Sequence, residues 1–152
     1  MPTLLALLLL AAFPSNSLTS WMDLEAFRLT IGMPRNEALQ QLEKWQPKPG
    51  KSENEIVVDY ADDKALTLEF SKDRLKSVRF ELFAFLPDVK KAFGERRTFF
   101  RESLGAPRRE TKAILIYDGI LPNVMVVAND NPASQQGRQG IGVLAVRYYD
   151  PR

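Results

Sequence analysis

Alternating apolar residues between Ile56 and Leu82 limit the fold of this chain more than any other feature. In this stretch the apolar side chains fall on every second position, in three short segments separated by charged residues. Alternation with a period of two predicts strands that place one face against a core and the other in water. The predicted strands are Ile56–Tyr60, Ala65–Phe70 and Leu75–Leu82.

The charged breaks between these strands predict an antiparallel meander. Each break is interpreted as a three-residue hairpin loop, at 62–64 and at 72–74, because an odd number of loop residues keeps the apolar positions on one face. The charged side chains on the other face are interpreted as solvated surface rather than as a catalytic cluster. The implied cross-strand partners are Tyr60 with Leu66 and Phe70 with Lys76.

A helix is predicted before the meander, over residues 34–45. Pro34 suits the first helical position, where its missing N–H has no helical partner to lose, and the proline-rich segment 46–50 ends the helix. Its apolar stripe consists of Ala38, Leu42 and Trp45. Trp45 is interpreted as a core residue that joins the helix to the sheet, with ligand stacking as the less favoured alternative.

A second helix is predicted after the meander, over residues 88–104, with Asp88 as its N-cap. Gly94 weakens the middle of this segment, so a start near Glu95 is the alternative. The apolar face consists of Val89, Phe93, Phe100 and Leu104. The polar side carries Lys90, Lys91, Arg96, Arg97 and Arg101. This basic side is interpreted as solvated helix surface, with contact to anionic lipid or a polyanion as the alternative.

Three further strands are predicted after the second helix, at 112–117, 123–128 and 142–149. The order helix, strand, strand, strand therefore occurs twice in the chain. We expect an α+β fold of two tandem helix-plus-three-strand repeats, at about 31–83 and about 88–150. Together they are expected to form one antiparallel sheet with the helices packed on one face.

The first residues of the chain predict export. Leu4–Phe13 is an unbroken apolar run, too short to cross about 30 Å of hydrocarbon but of the length of a signal-peptide core. We expect residues 1–17 to be a leader cleaved after Ser17, with Ser20 as the alternative site, and residues 18–152 to form a single domain. Because no Lys or Arg precedes the run, a retained membrane anchor is a second possibility, and a buried core helix is less favoured.

The composition excludes several classes of site. The chain has no His and no Cys, which removes disulfides, thiolate and imidazole nucleophiles, and zinc sites built on these residues. A net charge of +2 is too small to predict a nucleic-acid partner. No cofactor and no metal site are predicted, so an enzyme would depend on carboxylates. The candidates are Asp59, Glu69, Glu81, Asp118 and Asp130, none of them in a recognisable motif.

A polar loop rich in Gly, Asn and Gln is predicted at residues 129–140. Loops of this length are uncommon unless they are functional or disordered. The segment 129–131 lacks the spaced ligands of a calcium loop and is interpreted as a turn. We expect a binding surface made of this loop and the outward residues of the last strand. The predicted contacts are Gln136, Arg138 and one of Arg147 or Tyr148.

Several short motifs resemble a superfamily of small envelope proteins. They are Ile31-Gly32-Met33-Pro34-Arg35 with Glu37, Leu104-Gly105-Ala106-Pro107, and Ala65–Phe70 with Leu75 after a charged turn. This superfamily contains the outer-membrane assembly lipoproteins of the SmpA/OmlA type and the tandem-repeat β-lactamase inhibitory protein. The resemblance implies an exported, non-enzymatic α+β module that presents a sheet face or loops to a protein partner. The lipobox cysteine and the inhibitor's disulfides have no counterpart, and no partner-binding residue is transferred.

These patterns together predict a periplasmic or secreted binding protein of the bacterial cell envelope, with no catalytic residues. It is expected to recognise a protein partner through a sheet face and the 129–140 loop, and not to bind nucleic acid. Two alternatives stay open. One is a carboxylate-based cell-wall hydrolase, and the other is a membrane-surface module anchored by residues 4–13.

Overall fold

The computed structural model of the chain describes residues 22–118, 123–130 and 141–152, and for residues 128–130 it describes the backbone alone. Within these residues one eight-stranded antiparallel sheet is accompanied by α-helices and short 3₁₀ helices, which confirms the α+β class. The strands are β1 (Lys48–Pro49), β2 (Glu55–Ala61), β3 (Lys64–Ser71), β4 (Arg74–Phe85), β5 (Arg109–Glu110), β6 (Ile114–Tyr117), β7 (Asn123–Asp130) and β8 (Ile141–Tyr149). The helices are η1 (Leu24–Phe27), α1 (Arg35–Gln41), η2 (Glu43–Trp45) and α2 (Leu86–Leu104).

The strand order places β4 and β8 at the centre of the sheet. The order is β1-β2-β3-β4-β8-β7-β6-β5, so one series of hairpins runs outward on each side of the β4–β8 pair. β4 and β8 pair from Ser77 opposite Tyr149 to Phe85 opposite Ile141. Each edge of the sheet is a strand of two residues, β1 and β5. Such short edges, with charged residues and a proline, offer little backbone for pairing with another chain.

A row of aligned side chains crosses the sheet on its buried side. Its members face one another in adjacent strands and are 0 % exposed: Val58, Leu66, Phe80, Val146, Val126 and Leu115. Because directly opposite residues share a face, this row defines the inner face of the sheet. The next inner row is also buried and consists of Ile56, Leu68, Val78, Tyr148, Val124 and Tyr117. Burying each large apolar side chain contributes roughly 1.5–3 kcal/mol.

Aromatic side chains connect the helical segments to the inner face. The ring of Phe27 in η1 lies 5.5 Å from that of Phe80 and 5.1 Å from that of Trp45 in η2. The ring of Phe100 in α2 lies 6.4 Å from that of Tyr148. Trp45, predicted to be a core residue, is partly buried against this cluster.

The hairpin turns are tighter than the sequence analysis predicted. The β2–β3 and β3–β4 connections are the two-residue turns 62–63 and 72–73, so the three-residue loops were wrong. The predicted partners were wrong as well, because Leu66 lies opposite Val58 and Phe70 lies opposite Leu75.

Two irregularities in pairing keep the apolar residues inside despite the tighter turns. The register shifts between Asp59 and Ala61 in β2 and between Glu69 and Phe70 in β3. A bulge of this kind absorbs one residue and returns the following side chains to their face. The 72–73 turn forms because Lys72 and Asp73 adopt left-handed backbone angles, with φ of 53° and 60°, that a two-residue hairpin requires.

The second helix begins earlier than predicted. β4, predicted to end at Leu82, continues to Phe85 and passes directly into α2 at Leu86. Asp88 lies in the first turn of α2 and not at its N-cap, where it had been placed. Pro87 is accommodated because a residue in the first turn has no helical partner for its N–H. Gly94 does not interrupt the helix.

The first helix is shorter than predicted, and both edge strands of the sheet, β1 and β5, were missed. α1 ends at Gln41, and Trp45 belongs to a separate 3₁₀ turn. Arg109 and Glu110, which precede the strand predicted at 112–117, form the edge strand β5, and that predicted strand begins at Ile114. Among the residues described, no helix combines the length and apolar character needed to cross a membrane.

Candidate binding surface

The side of the sheet opposite the inner face is called the outer face. Strand residues alternate between the two sides, so the register that fixes the inner rows also fixes the outer ones. One outer row consists of Val57, Thr67, Arg79, Arg147, Met125 and Ile116. The other consists of Asp59, Ala65, Glu81, Ala145, Val127 and Ile114. Thr67 is buried and the other members are half-buried or exposed.

The outer face is apolar on the side of β6, β7 and β8. We call this region the outer apolar strip, and it consists of Phe83, Ile114, Ile116, Met125, Val127, Val143 and Ala145. Val143 is buried and the others are half-buried. Phe85, at the end of β4, is 62 % exposed. An antiparallel sheet with one solvated face normally presents polar residues there, so this continuous apolar strip makes the outer face a candidate binding surface.

The outer face is acidic on the side of β2 and β3. Glu55 and Glu69 lie directly opposite each other, and Asp59 lies further along β2. The Nζ of Lys48 lies 2.8 Å from Oδ2 of Asp59, with both side chains more than half exposed. An exposed pair of this kind contributes little to stability. The two sides of the outer face therefore differ in chemistry although they belong to one sheet.

Two arginines meet at the centre of the outer face. Arg79 in β4 and Arg147 in β8 are direct cross-strand partners. The Nε of Arg79 lies 3.6 Å from Oε1 of Glu81, a longer separation than a normal hydrogen bond. The guanidinium of Arg147 lies 4.8 Å from the ring centroid of Tyr149. Like charges directly opposite each other destabilise an antiparallel pair.

A polar row lies beside the arginines, where Ser77, Tyr149 and Asn123 are aligned across β4, β8 and β7. Asn123 is 3 % exposed. Its Oδ1 accepts no hydrogen bond from any residue that the structure describes. Among the described residues, this row therefore places a buried amide oxygen at the start of β7, beside the end of β8.

The residues predicted to bind a partner are placed very differently. Gln136 and Arg138 lie outside the described residues, as do residues 131–140 of the predicted loop. The loop prediction was wrong for residues 129–130, which belong to β7. Arg147 lies on the outer face, where it is half-buried. Tyr148 lies on the inner face and is 7 % exposed, so its ring is part of the core and not of a contact surface.

A buried polar network holds Tyr148. The Nη2 of Arg96 donates to Oδ1 of Asp23 at 2.9 Å and to the hydroxyl of Tyr148 at 3.2 Å. The Tyr148 hydroxyl in turn has two acceptors, Oδ1 of Asp23 at 2.9 Å and the carbonyl of Met22 at 3.0 Å. Burial raises the pKa of Tyr148 well above its ordinary value, against the lowering effect of Arg96. The network joins the segment before η1 to α2 and β8.

Arg96 had been assigned to the polar side of the second helix, and that assignment was wrong. The side chain is 1 % exposed, and its guanidinium lies 4.6 Å from the ring centroids of both Phe99 and Phe100. The spacing of Val89, Phe93, Arg96 and Phe100 follows the helical repeat of the apolar stripe. That spacing was the signal in the sequence, and the charge of the residue concealed it.

Among the clefts lined by described residues, two lie away from the outer apolar strip and a third reaches Phe83 at its border. One of about 280 Å³ is lined by Ala26, Phe27, Trp45, Tyr60, Ala61 and Lys64. Burial, and to a smaller extent the charge of Asp63, raises the pKa of Tyr60. The cleft therefore presents a neutral phenol beside aromatic rings. A second, of about 410 Å³, includes Arg35, Lys72 and Arg74. The third, of about 390 Å³, includes Asp59 and Asp62, both exposed.

The candidate carboxylates are dispersed. Glu69 and Glu81 lie on the outer face with Asp59, whereas Asp118 forms an ion pair with Arg108 beside β6. The side chain of Asp130 is not among those described. Within the described part of the chain, no three His, Cys, Asp or Glu residues are grouped so as to hold a metal ion.

Comparisons with known proteins found no match: no protein-family model, no curated protein and no solved structure is significantly similar to this chain. The resemblance to the small envelope proteins therefore stays a prediction from its motifs.

Proposed function

We propose that this chain is an exported, non-enzymatic binding module of the bacterial cell envelope that recognises a protein partner through the outer face of its sheet. The observation that carries the proposal is the outer apolar strip, with Phe85 beside it. Apolar surface that a partner removes from water contributes about 25 cal/mol per Å². The strip lies on rigid paired strands, so little conformational entropy is lost when it binds.

The strand order supports the expected arrangement of two tandem repeats. We propose that β1–β4 and β5–β8 are the two tandem units, each preceded by its α-helix. The order β1-β2-β3-β4-β8-β7-β6-β5 is what two such units give when they join through their last strands. The aromatic contacts of η1 and α2 reach Phe80 and Tyr148 on the inner face, which supports a sheet with its helices on that face and its outer face left for a partner.

Export is the second part of the proposal. It is supported by the apolar run Leu4–Phe13 in the sequence, which is of signal-peptide length. Edman sequencing of the protein isolated from the cell envelope tests it. A mature N-terminus at Leu18 or Trp21 is expected, and an intact Met1 in the membrane fraction would instead favour the retained anchor.

Recognition by the outer face is tested with matched charge insertions. Met125→Lys places a cation in the middle of the outer apolar strip, and Gln40→Lys places the same charge on an exposed position of α1. Each variant and the wild type, immobilised at equal amounts, is exposed to envelope extract, and the proteins retained are quantified. We expect a partner that wild type and Gln40→Lys retain equally and that Met125→Lys loses by about tenfold or more.

The result would contradict the proposal if Met125→Lys, folded by circular dichroism, retained the same proteins as the wild type. A separate deletion of residues 134–139 tests the predicted loop contribution of Gln136 and Arg138. If that deletion leaves retention unchanged, the partner is recognised by the sheet face without the loop.

The hydrolase alternative gains no support from the described residues. Cell-wall glycosidases use two carboxyl groups across a cleft, one of them with a raised pKa. The cleft that includes Asp59 and Asp62 has both carboxylates exposed, and Asp59 is paired with Lys48.

A further inference from the structure

We infer that Arg79 and Arg147 together form a carboxylate-binding site, and that the protein partner presents an Asp or Glu side chain to them beside apolar side chains that cover the outer apolar strip. The inference rests on the proposed function, because it names the chemistry of the partner for the same outer face.

The geometry of the two arginines favours a shared carboxylate. Arg79 and Arg147 are directly opposite on the two central strands, so their side chains emerge about 5 Å apart from a rigid part of the sheet. Each guanidinium is a planar fork of donors that matches the two oxygens of a carboxylate. One carboxylate between them would receive donors from both arginines.

The charges around the arginine pair favour binding of a further carboxylate. Two carboxylates flank Arg79: Glu81, two residues further along β4, with its Oε1 3.6 Å from Nε of Arg79, and Glu69, the diagonal neighbour in β3. The side chain of Arg79 is 46 % exposed, and the guanidinium of Arg147 lies over the ring of Tyr149 rather than beside a carboxylate. Both carboxylates lie beside Arg79, so the charge of Arg147 is the less compensated of the two, and an anion between the guanidinium groups would reduce the repulsion between them.

The surroundings of the pair define how the partner is oriented. Met125 is the neighbour of Arg147 in the next strand, and Ile116 follows in the same row. Glu69, in the strand next to β4, and Glu55, opposite it in β2, repel an acidic group on that side of the arginines. A partner that places its carboxylate at the centre is thus directed to lay its apolar side chains on β7 and β6.

The test uses a phage-displayed library of random short peptides as the probe. Peptides that bind the wild-type protein are selected, synthesised and measured by isothermal titration calorimetry. We expect the selected sequences to share an Asp or Glu beside apolar residues. Changing that acid to its amide should lower affinity roughly tenfold or more.

The protein variants complete a thermodynamic cycle with the peptides. Arg79→Gln with Arg147→Gln should lower affinity by a similar factor, and the amide peptide should bind this variant no more weakly than the acidic peptide does. The matched control, Arg101→Gln with Arg152→Gln, removes the same charge from two arginines paired with Glu110 and Asp150. It should leave the affinity within about twofold of the wild type.

The outcomes separate this inference from the function on which it rests. Peptides that lose binding with Met125→Lys but not with the Arg79 and Arg147 double variant would overturn the carboxylate site and leave the outer face as the binding surface. Equal losses in the double variant and its control would also overturn it, as a general effect of charge. Peptides unaffected by either Met125→Lys or the arginine variants, or a library that yields none, would count against both.

Discussion

Replacing Asp23 with alanine tests how the buried polar network supports the fold. Asp23 accepts hydrogen bonds from Arg96 and from the hydroxyl of Tyr148, each at 2.9 Å. Arg96 is 1 % exposed, whereas the side chain of Asp23 is 25 % exposed. The substitution removes the carboxylate and leaves the guanidinium in the core.

The size of the effect follows from this asymmetry in burial. Removing one partner of a buried ion pair costs about 3–5 kcal/mol. Because a quarter of the Asp23 side chain is in water, and because the guanidinium keeps its contacts with Phe99 and Phe100, we expect the lower end, about 3 kcal/mol. Arg96→Met should cost less, roughly 1–2 kcal/mol, since the methionine fills much of the volume and the remaining Asp23 can be hydrated.

The assay is equilibrium unfolding in urea, followed by tryptophan fluorescence and by far-ultraviolet circular dichroism at neutral pH. The free energy of unfolding is obtained by linear extrapolation, with coincident transitions as the test of two-state behaviour. The double variant, Asp23→Ala with Arg96→Met, closes a cycle in which the two single effects should not add. The coupling is expected to be about 1–3 kcal/mol.

Comparing the free energies of unfolding of the two single variants tests whether the cost comes from the buried charge or from packing. If Arg96→Met lowers the free energy of unfolding as much as Asp23→Ala, the cost lies in lost packing of the arginine and not in a buried charge deprived of its carboxylate. If Asp23→Ala costs less than about 1 kcal/mol, the ion pair behaves like an exposed one, and the burial of Arg96 has been misjudged.

Three further substitutions test other parts of the structure by the same unfolding assay. Arg147→Gln should raise the free energy of unfolding by up to about 0.5 kcal/mol, because it removes a like charge opposite Arg79; a loss of stability would contradict that. Lys72→Asn with Asp73→Gly should raise it by about 1 kcal/mol by relieving two left-handed residues, and no gain would mean that the turn is unstrained. Burial raises the pKa of Tyr148 in the folded state, so the unfolded chain releases this proton first and stability falls as pH rises above about 10, by about 1.4 kcal/mol per pH unit. Tyr148→Phe should lose correspondingly less stability than the wild type between about pH 9 and 11, and equal slopes would refute the assignment.

The inner rows of the first hairpins could be predicted because their pattern has a physical cause. Apolar residues at every second position have a single strand arrangement that buries them all, and the structure places Val58, Leu66 and Phe80 in one row. The turns could not be predicted in the same way. A two-residue turn is usually indicated by glycine or asparagine, and positions 72 and 73 carry neither. Lys72 and Asp73 adopt left-handed backbone angles although their residue types rarely do so.

Periodicity was a better guide than residue type wherever the two disagreed. Arg96 falls in the helical repeat of the buried apolar residues of α2, but it was assigned to the surface because it is charged. Tyr148 occupies the inner parity of β8, together with Val146, yet its suitability for interfaces suggested a contact. The edge strands β1 and β5 carried no signal of either kind, because two residues show no period and their pairing depends on strands elsewhere in the chain.

The chemistry of the outer face changes from strand to strand, and this change carries information that the inner face does not. The inner rows are aliphatic or aromatic across the sheet, as packing requires of any sequence with this fold. The outer rows pass from acidic in β2 and β3, through the arginines of β4 and β8, to apolar in β7 and β6. A face of the sheet in contact only with water would not need apolar residues such as Ile116 and Met125. Since the edge strands β1 and β5 each have only two residues, with charged side chains and a proline, and the outer face carries the apolar strip, recognition is expected to use the face of the sheet rather than its backbone edge.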